Sequence, residues 1–135
     1  MVVSKEQHST AGTYHALECI FCTVAKLHKA FPDLIDAESV FRGLHYLFGC
    51  HPGSDISFVS AVGTVSKEVA YGNNRADFSF IAGGIVPGVL IVKPDFPENK
   101  EDWPFFWGQN EYVVDLGASY LFLVNAANDL LDGAA

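Results

Sequence analysis

Apolar residues recur at helical spacing in three stretches of the chain. The first holds Leu17, Ile20, Phe21, Val24, Leu27 and Phe31, a pattern that predicts a helix over residues 11–31 capped by Ser9 or Thr10. Ala16, Cys19, Cys22 and Ala25 widen its apolar stripe beyond a usual core face, and Pro32 stops it. Asp36 then caps a second helix over 37–48, with Val40, Phe41, Leu44, Leu47 and Phe48 facing inward. Gly49 follows where a helix C-terminus favours positive φ. The third stretch, over 111–131, carries Val113, Val114, Leu116, Tyr120, Leu121, Leu123, Val124, Ala127 and Leu130. Gly117, Ala118, Ala126 and Ala127 make one side of it small enough for close packing.

Between the second and third helices the texture changes. Pro52-Gly53, Gly63, Gly72, Gly83-Gly84, Pro87-Gly88, Pro94, Pro97 and Pro104 punctuate residues 49–109. Val89-Leu90-Ile91-Val92 is the one short run that looks like a strand or an extended core segment. A stretch of about sixty residues without a long helix is too long for a mere connector, and such loops usually carry function. The expected fold is therefore all-α: a helix pair over 11–48, a long irregular insert with at most a short strand pair, and a final helix.

Composition sharpens this picture. Half of the 135 residues are hydrophobic and only 18% are charged, below the roughly 25% of an average soluble domain. So small a globule leaves much of its surface in water, and so apolar a chain points to faces that expect a partner. The net charge is −8 and the eight Lys and Arg residues form no cluster, which leaves counterion release from nucleic acid nothing to act on. No apolar run approaches the ~20 residues of a membrane span, and residues 1–8 lack the basic and apolar regions of a signal peptide. Neither nucleic acid nor membrane is expected as a partner. Cys19, Cys22 and Cys50 include one C-x-x-C pair without a second closely spaced pair of ligands, so the thiols read as small hydrophobes and neither metal nor cofactor is expected.

The densest chemistry is Trp103-Pro104-Phe105-Phe106-Trp107-Gly108-Gln109-Asn110-Glu111. Flat rings stack on the apolar faces of sugars, and amides such as Gln109 and Asn110 can bond hydroxyls. The same rings desolvate a neighbouring carboxyl, which favours its protonated form and suits a general acid. A helix N-terminus acts oppositely, but it contributes under about 1 kcal/mol when exposed, whereas burial shifts a carboxyl by several pKa units. Asp115, one turn later on the same helical face, would add to the upward push. The alternative is a helix-capping glutamate beside a core aromatic cluster. Tyr71-Gly72-Asn73-Asn74-Arg75-Ala76-Asp77 suits a turn; Asn73, Asn74 and Arg75 can supply donors to sugar hydroxyls, or Arg75 and Asp77 can form an ordinary surface pair. His51, just past a helix end, reads as structural. No G-x-S-x-G elbow, P-loop or H-E-x-x-H occurs.

In order along the chain, five segments resemble the end of glycoside hydrolase family 9 catalytic domains. They are Leu44-His45-Tyr46-Leu47-Phe48-Gly49-Cys50-His51-Pro52, Ser57-Phe58-Val59-Ser60-Ala61-Val62-Gly63, Asn73-Asn74-Arg75, Ile85-Val86-Pro87-Gly88-Val89-Leu90-Ile91 and Asn110-Glu111-Tyr112-Val113-Val114-Asp115. The resemblance covers most of 44–131. It implies the C-terminal part of an (α/α)6 toroid that cleaves β-glycosidic bonds with inversion, Glu111 standing at the family's general acid. Inversion needs a second carboxylate about 6.5–9.5 Å away to activate water; the family takes it from an aspartate pair early in the domain, and nothing in 1–43 matches that pair. A twelve-helix toroid needs roughly 400 residues, so this chain corresponds to the last three helices and their loops. Where the family's Arg loop usually presents histidines, this chain has Asn73-Asn74, so cellulose is not implied and the substrate class is a β-linked oligo- or polysaccharide.

On that reading Glu111 is the catalytic residue and Asn73, Asn74, Arg75, Trp103 and Trp107 bind substrate. Members of the family are often secreted or periplasmic, whereas the residues themselves name no compartment. The chain on its own is expected to be inactive, and to associate with itself or with the missing N-terminal part of the same enzyme. The rival readings are a non-catalytic carbohydrate-binding module and a structural interaction domain with the aromatics in its core.

Overall fold

Pro32 and Asp36 turn the corner of a helical hairpin. In the computed structural model, which describes residues 10–51, 54–71, 74–75, 80–88 and 110–133, α1 spans Thr10–Ala30 and α2 spans Ala37–Leu47. The His28 Nδ1–H donates to the Ile35 carbonyl at 2.6 Å across the corner. Asp36 takes an extended backbone, and its Oδ1 accepts from Ser39 N at 2.8 Å and from Ser39 Oγ at 2.5 Å. One free helix donor is thereby satisfied. Gly49 closes α2 at φ +103, where an added Cβ would lie 2.5 Å from the Asp55 carbonyl oxygen.

The Asp36 cap makes the corner sensitive to pH. The bonds from the Ser39 hydroxyl and amide hold the Asp36 carboxyl below the usual carboxylate pKa of 3.8. A depressed folded-state pKa gives stabilisation that is present above the unfolded value and lost as pH falls through the folded one. The melting temperature of wild type is therefore expected to exceed that of Asp36→Ala at neutral pH, with the gap closing below pH 3.8. A gap that stays constant from neutral pH into that range would contradict the cap's role.

The third described helix, α3, spans Val114–Gly133. Cys22 Sγ donates to the Ser119 carbonyl at 3.1 Å, and Lys26 Nζ stands 5.2 Å from the centre of the Phe122 ring. Residue numbers rise together along this pair, so α1 and α3 run parallel. Against α2 the order reverses: Phe48 meets Tyr120 edge to face at 6.4 Å, while Val40 borders a cavity with Leu130. Two parallel helices thus pack on one antiparallel return.

The core lies among Ala25, Val40, Leu44, Leu47, Leu116, Leu123 and Ala127, and extends into the segment after α2 through Phe58, Val59, Val69, Ile85 and Val86. Backbone bonds lace that segment to the helices: Phe58 N donates to Leu47 O, Lys67 N to Ser57 O and Val86 N to Phe58 O. Strand β1 (Ile56–Ser57) pairs in parallel with β2 (Val65–Ser66). Strand β3 (Ala70–Tyr71) pairs antiparallel with β4 (Asn74–Arg75).

Two expectations change. Two strand pairs occur among the described residues where at most one was expected. The helix expected from 111 begins at Val114; the first helical carbonyl is that of Val113, which accepts from Gly117 N at 2.9 Å. Ile20, Leu27 and Phe31 in α1, and Val114 and Leu121 in α3, are exposed, so each apolar stripe is wider than the face its neighbours cover. The expected extended run Val89 to Val92 lies outside the described residues.

Candidate functional site around Glu111

Glu111 is half-buried on a non-helical step just before α3. Since α3 starts later, Asp115 and Glu111 do not share a helical face, and that expected interaction falls away. What fixes the step is its neighbours. Asn110 is 2% exposed and its Nδ2 donates to the Glu68 carbonyl at 2.6 Å. Its place in the interior corrects the expectation that this amide meets sugar hydroxyls. Asn110 Oδ1 is buried and has no hydrogen-bond partner among the described residues. A buried unpaired acceptor costs about 1–3 kcal/mol, so this placement is held by the surrounding packing.

On the other side, the Tyr112 hydroxyl lies 2.7 Å from Ser60 Oγ and accepts from Ile81 N at 3.0 Å. It also donates to the Ile81 carbonyl at 3.3 Å. Its ring covers Gly84, where a Cβ would come within 2.7 Å of the Tyr112 ring. Ser60 is itself tied to the same turn: its N donates to Gly84 O, and its carbonyl accepts from Gly83 N, both at 2.8 Å. Neither Tyr112 nor Ser60 was marked as functional by the sequence patterns, because their contact spans 52 residues and leaves no local periodicity.

Asn74 and Arg75 form β4; Asn73, Trp103 and Trp107 lie outside the described residues. His51 is buried, its Nε2–H donating to Ile56 O at 2.9 Å and its ring stacked on Phe58 at 5.0 Å with a 12° interplanar angle. Tyr46 packs on the same imidazole at 5.3 Å, and burial pushes the Tyr46 phenol up from 10.0. This trio is a packed aromatic core. Lys67, only 2% exposed, is a further buried polar side chain that the chain pattern did not mark.

Cys22 and Cys50 are thiols outside any disulfide, and no group of three His, Cys, Asp or Glu side chains comes together among the described residues. No described helix is long and apolar enough to cross a membrane. A cavity of about 380 Å³ lies between the C-terminal halves of α1 and α3, bordered by Ala25, Lys29, Phe122 and Leu130. It is far along the helices from Glu111 and has a different character, an apolar groove rather than a polar centre. Compared with known proteins, the chain matches no family model, no curated protein and no solved structure.

Proposed function

We propose that this chain is the closing part of an inverting glycoside hydrolase built as an (α/α)6 toroid, acting on a β-linked oligo- or polysaccharide with Glu111 as general acid. The observation that carries the proposal is a half-buried carboxylate on the step before the last helix, flanked on both sides by side chains bonded into the preceding loops. Around it, Asn73, Asn74 and Arg75 hold sugar hydroxyls, and Trp103 and Trp107 form stacking walls. The base that activates water belongs to another part of the parent enzyme. The helix directions support the architecture: α1 and α3 run parallel and α2 returns, the alternation required of two concentric layers of helices.

Titration of the isotopically labelled chain with β-linked gluco- and chito-trisaccharides tests this reading. Binding is expected to shift the amide signals of residues 110–112 in both wild type and Glu111→Gln, with no hydrolysis by either. Hydrolysis by the 135-residue chain that Glu111→Gln abolishes would show that the base is present after all and overturn the assignment. Saccharide binding that leaves residues 110–112 unperturbed would favour a non-catalytic module.

In a toroid, neighbouring helices cover the exposed apolar positions of α1 and α3, among them Ile20, Leu27, Phe31, Leu121 and Leu131. In the chain by itself a second copy takes that place. Because α1 ends in His28 and Lys29 while the parallel α3 ends near Asp129 and Asp132, a two-fold axis along the helices sets each basic end against its partner's acidic end. Light scattering at micromolar concentration is expected to give a dimer or larger, weakened by Leu121→Glu. A clean monomer would count against a severed toroid.

A further inference from the structure

We infer that Tyr112 and Asn110 are positioning residues that clamp Glu111 from both sides, and that Ser60 and the turn at 81–84 form the anvil of that clamp. This inference rests on the reading of Glu111 as a general acid. A proton donor must come within about 2.6–3.2 Å of the atom it protonates, and misplacement by about 1 Å can cost 10²-fold in rate. Glutamate has a long, rotatable side chain, and Glu111 stands on a non-helical step between Asn110 and the start of α3. Both adjacent residues supply tertiary contacts that order this step.

Asn110 hangs on the Glu68 carbonyl, 42 positions away, and Tyr112 on Ser60, 52 positions away. Ser60 follows β1 and Glu68 follows β2, so the step is tied at two points to one paired unit. The Tyr112 hydroxyl has no packing task that phenylalanine could not perform, for the ring already fills the space over Gly84. Its three polar contacts, to Ser60 Oγ, Ile81 N and Ile81 O, are what the oxygen adds. Ser60 is in turn bonded through its own N and O to Gly84 and Gly83, so the node closes on itself and resists sliding.

The test uses the full chain, labelled with ¹³C and ¹⁵N, as wild type, Tyr112→Phe and, from the opposite side of the node, Ser60→Ala. In wild type, three-bond couplings across the Glu111 χ1 torsion are expected to report one rotamer. In both variants they are expected to average over rotamers, with amide exchange at 111 and 113 rising about ten-fold while Leu123 and Ala127 in the α3 core stay within about two-fold. Unchanged couplings in both variants, or faster exchange shared equally by Leu123 and Ala127, would overturn the clamp and leave Tyr112 an ordinary structural residue. The saccharide titration above separates the two ideas: if no β-linked trisaccharide perturbs residues 110–112 while the couplings respond as expected, the clamp stands and the hydrolase reading is what fails.

Discussion

Phe58→Ala is expected to cost about 3–5 kcal/mol, the range for emptying a buried aromatic site. Phe58 is the largest of the side chains sealed from solvent, at 2% exposure. Its ring stacks on His51 at 5.0 Å and meets Tyr46 edge-on at 5.8 Å. Across from them, Gly88 approaches so closely that a Cβ there would lie 2.6 Å from the ring. Backbone bonds to Leu47 O and from Val86 N hold the residue in place, so little can collapse into the space left behind. Domains of this size are stable by about 5–15 kcal/mol in all, and the loss is a large part of that. Urea denaturation is the measurement: the midpoint drops while the slope is retained. Leu34→Ala, at a side chain 80% exposed, serves as the contrast and should move stability by no more than about 0.5 kcal/mol. A Phe58→Ala midpoint close to that of Leu34→Ala would mean that the loops do not join the helical core.

How far such features could be read from the chain differs sharply between elements. In α2 nearly everything was local. Asp36 caps it, Val40, Leu44 and Leu47 form its buried face, and Gly49 takes the left-handed turn at its end. In α1 the apolar spacing was right for a helix but could not say which part of the stripe is covered. Phe21 and Val24 pack on the core while Ile20, Leu27 and Phe31 face out, because periodicity defines a face and not its partner. Around Glu111 the same limit appears in another form. The pattern 113–130 extended naturally back to 111, yet Asn110 and Tyr112 are pulled into bonds with Glu68, Ser60 and Ile81. Those distant partners keep the step out of the helix, and no local spacing encodes them. The carboxylate was therefore legible as a residue type beside aromatics and amides; its mounting was not. Asn110, expected at the sugar, is spent on the mounting instead.

If the chain closes an inverting glycoside hydrolase as proposed, Glu111→Gln in the whole enzyme is expected to lower kcat by about 10²–10⁴-fold, the contribution typical of a positioned general acid. Glutamine keeps the length and the neighbours of the side chain but has no acidic proton to give to the departing glycosidic oxygen. KM is expected to change little, since the sugar-holding contacts assigned to Asn73, Asn74 and Arg75 are untouched, and the loss then falls on the transition state. Substrates with an acidic phenol as leaving group need little protonation, so the variant is expected to recover most of its rate on an aryl glycoside. This recovery is the decisive part of the prediction. A residue that merely stabilised the fold would depress the rate on both substrate types alike, and a nucleophile would depress both while also giving a product of retained configuration. Polarimetry or NMR of the first-formed sugar distinguishes the last case. An equal loss on natural and aryl substrates would remove Glu111 from the role of acid, however well Tyr112 and Asn110 hold it in place.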